Sequence, residues 1–142
     1  MDTILTVIDF KTKTQRVIAE TRKYAEAFNA RVILVNLEPL LPGAGGATEE
    51  ELTTDLKDSY GDEIQTIQDL GKNLTASGIE NRILLIEGTE SDQLLKEAER
   101  EEVDLIIIAS YPHGAIVEAL THGLREQLAK YGHCPVLLVP VD

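Results

Sequence analysis

The side chains best suited to metal binding or nucleophilic chemistry are three histidines and one cysteine: His113, His122, His133 and Cys134. His133 and Cys134 are adjacent, and neighbouring side chains point apart in an extended chain. No pair among the four has the spacing of a zinc site, so we predict no metal centre. No base can be assumed to face Cys134, which is therefore predicted to be a small apolar group rather than a nucleophile.

The other polar and glycine-rich segments match no catalytic motif. Ser110 lacks the Gly-x-Ser-x-Gly context of a hydrolase nucleophile. Gly43, Gly45 and Gly46 have neither the lysine and hydroxyl of a P-loop nor the spacing of a dinucleotide fingerprint. A receiver-type phosphotransfer site is excluded because Pro140, and no lysine, follows the last apolar run. We therefore expect a protein that is not an enzyme.

Composition and charge indicate one globular domain with an acidic surface. The 142 residues fit a single domain over 1–142. The net charge of −12 disfavours nucleic acid and anionic membranes as partners, since both need a basic face. No apolar run approaches the ~20 residues of a membrane-spanning helix. A single cysteine excludes an internal disulfide, and a reducing, cytoplasmic location is expected.

Five short apolar runs predict the strands that must position any site. They are Ile4–Ile8, Val32–Leu37, Ile83–Ile86, Leu105–Ala109 and Val136–Val139. Their Val, Ile and Leu residues are nearly uninterrupted by polar ones, which is typical of strands buried on both faces of a parallel sheet.

Four amphipathic stretches between these runs predict helices. The second helix is predicted to begin near Thr48, which forms a capping-box pair with Glu51, and to end at Gly78. The third has Thr89 as its predicted N-cap, and the fourth is predicted to end at Gly132. The first helix is predicted to bury Val17, Thr21, Tyr24, Ala25 and Phe28 on one side.

Strict alternation of strand and helix predicts an α/β fold. We expect an open, five-stranded parallel sheet with right-handed crossovers, strand order 3-2-1-4-5 and two helices on each face. Ligands of such sheets bind beyond the carboxyl ends of the strands, where the strand order reverses. The segments that follow each strand are therefore the candidates for a site.

Four segments resemble the universal stress protein family, in the family's order and spacing. Ile4–Asp9 resembles the first strand, which ends in an Asp, and Gly88–Leu95 resembles the glycine-started third helix. Val103–Ser110 resembles the "ADLIVMGS" strand, and Cys134–Val139 resembles the closing "CPVLVV" strand. The resemblance covers essentially the whole chain. It implies an adenine-nucleotide alpha-hydrolase-like fold and a binding or signalling role in the stress response.

Many members of that family bind ATP through a G-x2-G-x9-G-(S/T) motif after the fourth strand. Here the motif falls on Ala109, Pro112, His122 and Gly123, and no position keeps the family's residue. Pro112 is the most severe departure, because proline removes an N–H that would hold a phosphate and fixes φ. The chain thus resembles the branch without the ATP motif, which implies weak or no ATP binding.

The predicted fold leaves a crevice between the ends of strands one and four, because the chain turns in opposite directions there. Its predicted lining is Asp9, Phe10, Leu37, Gly88, Ala109, Ser110, Gly114 and Gly123. Asp9 either hydrogen-bonds an adenine-like ring there or caps the turn that follows the first strand. A gapped placement of the motif uses Gly114 and Gly123 but leaves Leu124 where a hydroxyl belongs. The ligand stays open, with ATP or AMP as alternatives. The alternative function is a universal stress protein that binds ATP or AMP and hydrolyses it slowly.

The fifth strand predicts a homodimer. Val136, Leu138 and Val139 make it apolar and short, and it is expected at a sheet edge, where unpaired backbone groups invite pairing. The resemblance implies dimerisation at the same strand, with these three side chains buried across a two-fold axis.

Overall fold

The computed structural model of the chain describes residues 1–8, 14–36, 47–48, 61–85, 91–110 and 134–140. The strands are β1 (Thr3–Ile8), β2 (Arg31–Asn36), β3 (Ala47–Thr48), β4 (Asn81–Leu85), β5 (Leu105–Ser110) and β6 (Val136–Pro140). The helices in these ranges are α1 (Thr14–Phe28), α2 (Gly61–Ala76) and α3 (Ser91–Arg100).

The sheet has the predicted parallel core. Its order is β3-β4-β2-β1-β5-β6, and the five longer strands all run parallel. These five correspond to the five apolar runs, so the predicted order 3-2-1-4-5 is confirmed. Their bounds lie within two residues of the predicted ones, because a strand buried on both faces is marked by an uninterrupted apolar run.

One strand was not predicted. Ala47 and Thr48 form β3, which pairs antiparallel with Leu85 and Leu84 of β4. Thr48, predicted as the N-cap of the second helix, therefore lies in a strand. Residues 49–60 are outside the described ranges, so where that helix begins stays a prediction.

The sheet separates two apolar clusters. The face toward α1 and α2 includes Ile4, Ile8, Leu34, Ile107 and Val139, together with Ile18, Ala25, Ile64, Ile67 and Leu74 from the helices. The opposite face includes Leu5, Val7, Ile33, Val35, Ile106 and Ile108, packed with Ala98 of α3 and with Val103. Helices thus pack on both faces, as predicted, although the predicted fourth helix lies outside the described residues.

The buried stripe of α1 differs from the prediction at its last residue. Val17, Thr21 and Ala25 are buried and Tyr24 packs at the margin of the core, but Phe28 is 50% exposed. Phe28 is the final residue of α1, and the chain turns directly after it to enter β2 at Arg31. The periodicity continues through Phe28, but this end of the helix leaves its side chain in solvent.

The three helices within the described ranges end in the same way. A residue one or two positions after each helix end adopts a left-handed conformation: Asn29 (φ 53°), Gly78 (φ 79°) and Glu102 (φ 54°). The next N–H donates back to a carbonyl five residues earlier, from Ala30 to Ala25, Ile79 to Leu74 and Val103 to Ala98, at 2.9–3.0 Å. These are Schellman motifs, which satisfy the last carbonyls of a helix. The predicted end of the second helix at Gly78 is confirmed.

Candidate binding crevice

The candidate site lies at the carboxyl ends of the parallel strands. Of the predicted lining, Asp9, Phe10, Leu37, Gly88, Gly114 and Gly123 lie outside the described residues. Ala109 and Ser110 are the last two residues of β5. The described part of the candidate site is therefore its floor, which is formed by the carboxyl ends of β1, β2, β5 and β6.

The strand order reverses between β1 and β5. From β1 the chain proceeds to β2 on one side, whereas β5 and β6 lie on the other. In a parallel sheet, the connections that leave two strands at such a reversal turn in opposite directions, so a crevice is expected between the ends of β1 and β5. β1 is paired with β2 through to Ile8 and Asn36, and β5 with β6 through to Ser110 and Pro140.

The pairing between β1 and β5 stops short of the strand ends. It extends from Ile4 opposite Leu105 to Thr6 opposite Ile107. Val7 and Ile108, the next two residues in this register, both lie in strands but do not continue the ladder. The two central strands thus part below the crevice, at the place where the fold predicts a ligand.

The walls of this gap are apolar and tightly packed. Ile8, Ala109 and Val139 are at most 4% exposed and belong to the cluster beneath α1. Val7 and Ile108 are 3% exposed and belong to the cluster on the other face. Ala109, which the sequence aligns with the first glycine of the family's ATP motif, is part of the buried cluster beneath α1.

A buried hydroxyl pair lies where the two strands part. Thr6 and Thr21 are both fully buried, and their Oγ1 atoms are 2.9 Å apart. The Thr21 hydroxyl donates to the carbonyl of Val17 at 2.9 Å, so the Thr6 hydroxyl is the donor to Thr21. This bond ties Thr6, the last residue of β1 that pairs with β5, to α1. The sequence placed Thr21 on the buried stripe, but no local signal identified Thr6 as its partner.

The amino-terminal edge of the sheet carries a second polar feature, centred on Asp104. Its Oδ2 accepts the backbone N–H groups of Asp2 at 2.8 Å and Thr3 at 3.1 Å, and its own N–H donates to the carbonyl of Thr3 at 2.9 Å. We call this arrangement the Asp104 clamp. The N–H of Asp2, followed by that of Thr3, lowers the pKa of the Asp104 carboxyl because both bonds favour the charged form. An acid directly before a buried apolar strand was the available sequence signal.

Two arginines extend these ties to β2 and β4. Arg31 donates to Thr3 Oγ1 at 3.0 Å and pairs with the Glu101 carboxylate at 3.3 Å. Arg82 pairs with the other oxygen of Glu101, which lies just after α3. The amino-terminal ends of β1, β2 and β4 are thereby linked through one half-buried carboxylate. A hollow of about 420 Å³ beside them is lined by residues from the ends of α1 and α2, and none of these was predicted to bind a ligand.

Cys134 packs as the sequence predicts. It is half-buried, lies just before β6 and contacts the cluster that contains Val103 and Ile106. Burial raises the pKa of the thiol, and the negative charge of Asp104 raises it further. The neutral thiol is therefore the favoured form, which suits a packing role better than a nucleophilic one.

The described ranges hold no group of three or more His, Cys, Asp or Glu side chains able to bind a metal ion. His113, His122 and His133 lie outside those ranges. Within the same ranges, no helix has the length and apolar character needed to cross a membrane.

Comparison with known proteins identifies one family. The sequence model of the universal stress protein family matches residues 1–140. The chain is 26% identical over 117 residues to universal stress protein MJ0531 of Methanocaldococcus jannaschii, covering 81% of this chain and 68% of that protein. It is 29% identical over 103 residues to MJ0577 of the same organism, covering 70% of this chain and 64% of the relative.

Solved structures with the same fold are also universal stress proteins. A family member from Burkholderia pseudomallei superimposes with a TM-score of 0.68 at 20% identity, covering 99% of this chain and 96% of the other. A universal stress protein in complex with cAMP gives 0.66 at 17% identity, covering 99% and 98%. A family protein from Arabidopsis thaliana with AMP bound gives 0.61 at 13% identity, covering 100% and 93%. At these identities the likeness establishes the fold.

Proposed function

Because the chain belongs to the universal stress protein family, we propose that it is a non-catalytic binding or signalling module of the stress response. Its crevice takes an adenine-sized ligand with little phosphate, such as AMP or adenosine, and binds ATP weakly or not at all. The observation that carries this proposal is the parting of β1 and β5 beyond Thr6 and Ile107.

Backbone hydrogen bonding at the end of the β1–β5 ladder favours a ligand there. Buried N–H and C=O groups nearly always have hydrogen-bond partners. The β1–β5 ladder stops after Thr6 and Ile107, whereas β1 stays paired with β2 to Ile8 and β5 with β6 to Ser110, so the backbone groups that would continue the ladder must find other partners. A flat ring with donors and acceptors on its edge fits this need, and Asp9 follows directly after Ile8.

The phosphate groups of a nucleotide find fewer favourable interactions in this chain than the adenine ring does. Pro112 offers no N–H, and the chain carries a net charge of −12, which opposes the approach of a triphosphate. The three neighbours with named nucleotides were solved with cAMP, dAMP and AMP, which carry one phosphate each. These observations favour a monophosphate or nucleoside over ATP.

The sequence also disfavours hydrolysis. Nucleotide hydrolysis needs a cradle for metal and phosphate and a positioned water or base. The family's glycine motif is absent here, and no residue stands out as the base. The second candidate function is ATP or AMP binding with slow hydrolysis. The neighbours solved with nucleotides favour the binding, and nothing in them favours the hydrolysis.

Calorimetry with ATP, AMP and adenosine tests the proposal directly. We expect AMP or adenosine to bind at least about tenfold more tightly than ATP, a difference of about 1.4 kcal/mol. Asp9→Ala should weaken adenosine and AMP alike. Pro112→Gly restores an N–H after β5 and is the matched variant, expected to improve ATP binding selectively.

Two outcomes contradict the proposal. Low-micromolar ATP binding that is lost in Asp9→Ala would show that the crevice takes the triphosphate without the glycine motif. Phosphate release from ATP and magnesium, well above that of Asp9→Ala, would make the protein an enzyme.

The proposal includes a homodimer formed through β6. This strand lies at the edge of the sheet, and Leu138 on it is 38% exposed. Val136 is half-buried, whereas Val139 is only 2% exposed and already packs inside its own chain. Of the three predicted interface residues, Leu138 is therefore the one that a second copy would cover most.

A further inference from the structure

The six-stranded sheet consists of two halves that are well paired internally. β2 pairs with β1 along all six residues of each, and with β4 over four. β5 pairs with β6 over five residues. Within the described sheet, the two halves pair with each other between β1 and β5, where three residue pairs form the ladder. We call this boundary the seam.

The seam is secured at one end and free at the other. At the amino-terminal end, the Asp104 clamp supplies three hydrogen bonds of 2.8–3.1 Å between β1 and the residue before β5. At the carboxyl end, Val7 and Ile108 leave the ladder. Asp104 is exposed and solvent competes for these bonds, but its charged acceptor makes the clamped end the better-held end of the seam.

We propose that Asp104 is a positioning residue for the crevice. It holds the amino-terminal ends of β1 and β5 together, so that the two sheet halves pivot about the clamp and the seam opens at its carboxyl end alone. The width of the gap between Val7 and Ile108 then depends on a carboxylate at the far edge of the sheet.

Two other contacts define how this pivot moves. α1 packs on residues of both halves, Ile4 and Ile8 on one side and Ile107 and Val139 on the other, so it spans the seam on one face. The Thr6–Thr21 hydrogen bond fixes α1 to β1 at the last paired residue. On the clamped side, Arg31 bonds Thr3 of β1 and Glu101 of the segment that leads into β5, which adds a second tie near the clamp.

The register identifies the amides that report on the seam. Arg31 N–H donates to Asp2 C=O, so by alternation the N–H groups of Leu5 and Val7 point away from β2 and toward β5. Ile106 N–H donates to Pro135 C=O on the β6 side, so the N–H groups of Ile107 and Ala109 point toward β1. Leu5 and Ile107 lie inside the seam ladder, and Ala109 lies at the gap.

Hydrogen exchange followed residue by residue tests the pivot without any ligand. In the unaltered chain, Ala109 should exchange at least about tenfold faster than Ile107, because local opening precedes global unfolding there. Asp104→Ala should accelerate Leu5 and Ile107 by about tenfold, the effect of losing roughly one net hydrogen bond to a charged group. Exchange at Leu34, which lies in β2 and pairs with β4, should change much less.

Asp104→Asn is the matched variant. Its amide oxygen still accepts two N–H groups but carries no charge, so the acceleration at Leu5 and Ile107 should be intermediate. It also serves if Asp104→Ala fails to fold. Equal acceleration at Leu5, Ile107 and Leu34 would overturn the proposal, because Asp104 would then contribute only to general stability. Slow exchange at Ala109, matching that of Ile107, would overturn it as well.

A second arm links the pivot to binding and rests on the proposed function. AMP should slow exchange at Ala109, and Asp104→Ala should weaken AMP binding several-fold although Asp104 is at the opposite edge. If AMP does not bind the unaltered chain, the proposed ligand is wrong, while the ligand-free exchange pattern still decides the pivot. If AMP binds both proteins equally, the positioning role of Asp104 is wrong.

Discussion

At the scale of single residues, the Thr6–Thr21 pair has a direction that predicts unequal mutant effects. Thr21→Val removes the acceptor for a buried hydroxyl, which costs about 1–3 kcal/mol of stability. Thr6→Val removes only a donor, because Thr21 still donates to Val17, and should cost less than about 1 kcal/mol. Urea unfolding of the two variants measures the difference.

The double variant provides the control for this pair. Replacing both partners by valine leaves no buried hydroxyl unpaired, so its stability should exceed that of Thr21→Val alone. A larger loss for Thr6→Val than for Thr21→Val would show that the hydrogen bond runs in the other direction.

Cys134 offers a second prediction, at neutral pH. Because burial and Asp104 both raise its pKa, little thiolate is present, and a disulfide reagent should react several-fold more slowly with it than with a free cysteine peptide. Raising the pH should accelerate labelling as the thiolate forms. Asp104→Asn should shift that rise toward lower pH by removing one of the two causes. Labelling at the peptide's rate would contradict the burial of the thiol.

At the scale of elements, the three Schellman motifs predict how much strain a positive φ causes at Asn29, Gly78 and Glu102. Glycine adopts a positive φ without strain, asparagine tolerates it, and glutamate does not. Glu102→Gly should therefore stabilise the chain by about 0.5–1 kcal/mol, and Asn29→Gly by less. Gly78→Ala should destabilise by about 1 kcal/mol through its φ of 79°, since an added Cβ has no atom within 4 Å.

Thermal unfolding of these three variants measures the ranking. Gly78→Ala is the control and should change stability in the opposite direction. It adds a side chain at a positive φ, whereas Glu102→Gly removes one. A stability loss in Glu102→Gly would show that the Glu102 side chain contributes more than its backbone strain costs.

The elements also show what the sequence could predict. β1, β2, β4, β5 and β6 were predictable because each is buried on both faces and reads as an uninterrupted apolar run. β3 was not, since Ala47 and Thr48 have no periodicity and their pairing with Leu84 and Leu85 is set by distant residues. Phe28 was assigned wrongly because periodicity identifies a helix face without showing where that face leaves the sheet.

The candidate site was less predictable than the fold. The carboxyl ends of β1 and β5 follow from topology, so the position of the crevice could be derived from the alternation of elements. The early end of the β1–β5 ladder and the bonds of Thr6 and Asp104 depend on register between residues about 15 to 100 positions apart. Sequence periodicity carries no such information.

At the scale of the whole molecule, the dimer is the testable consequence of the β6 edge. Light scattering at micromolar concentration should give twice the 15.6 kDa of one chain. Leu138→Lys places a charge on the proposed interface and should give single chains. Phe28→Lys is the matched control, because Phe28 is also large, apolar and exposed but lies at the end of α1. A mass of one chain for the unaltered protein would contradict the dimer.

The short strand β3 bears on how far such assembly can proceed. A parallel sheet with two bare margins could add copies at both, and the product would grow without limit as a filament. Here β3 crosses one margin in the opposite direction and occupies Leu84 and Leu85 of β4, with only two residues of its own to offer. Such a stub is a poor template for another chain. With β6 as the proposed joining edge and β3 blocking the other edge, we expect assembly to stop at two copies.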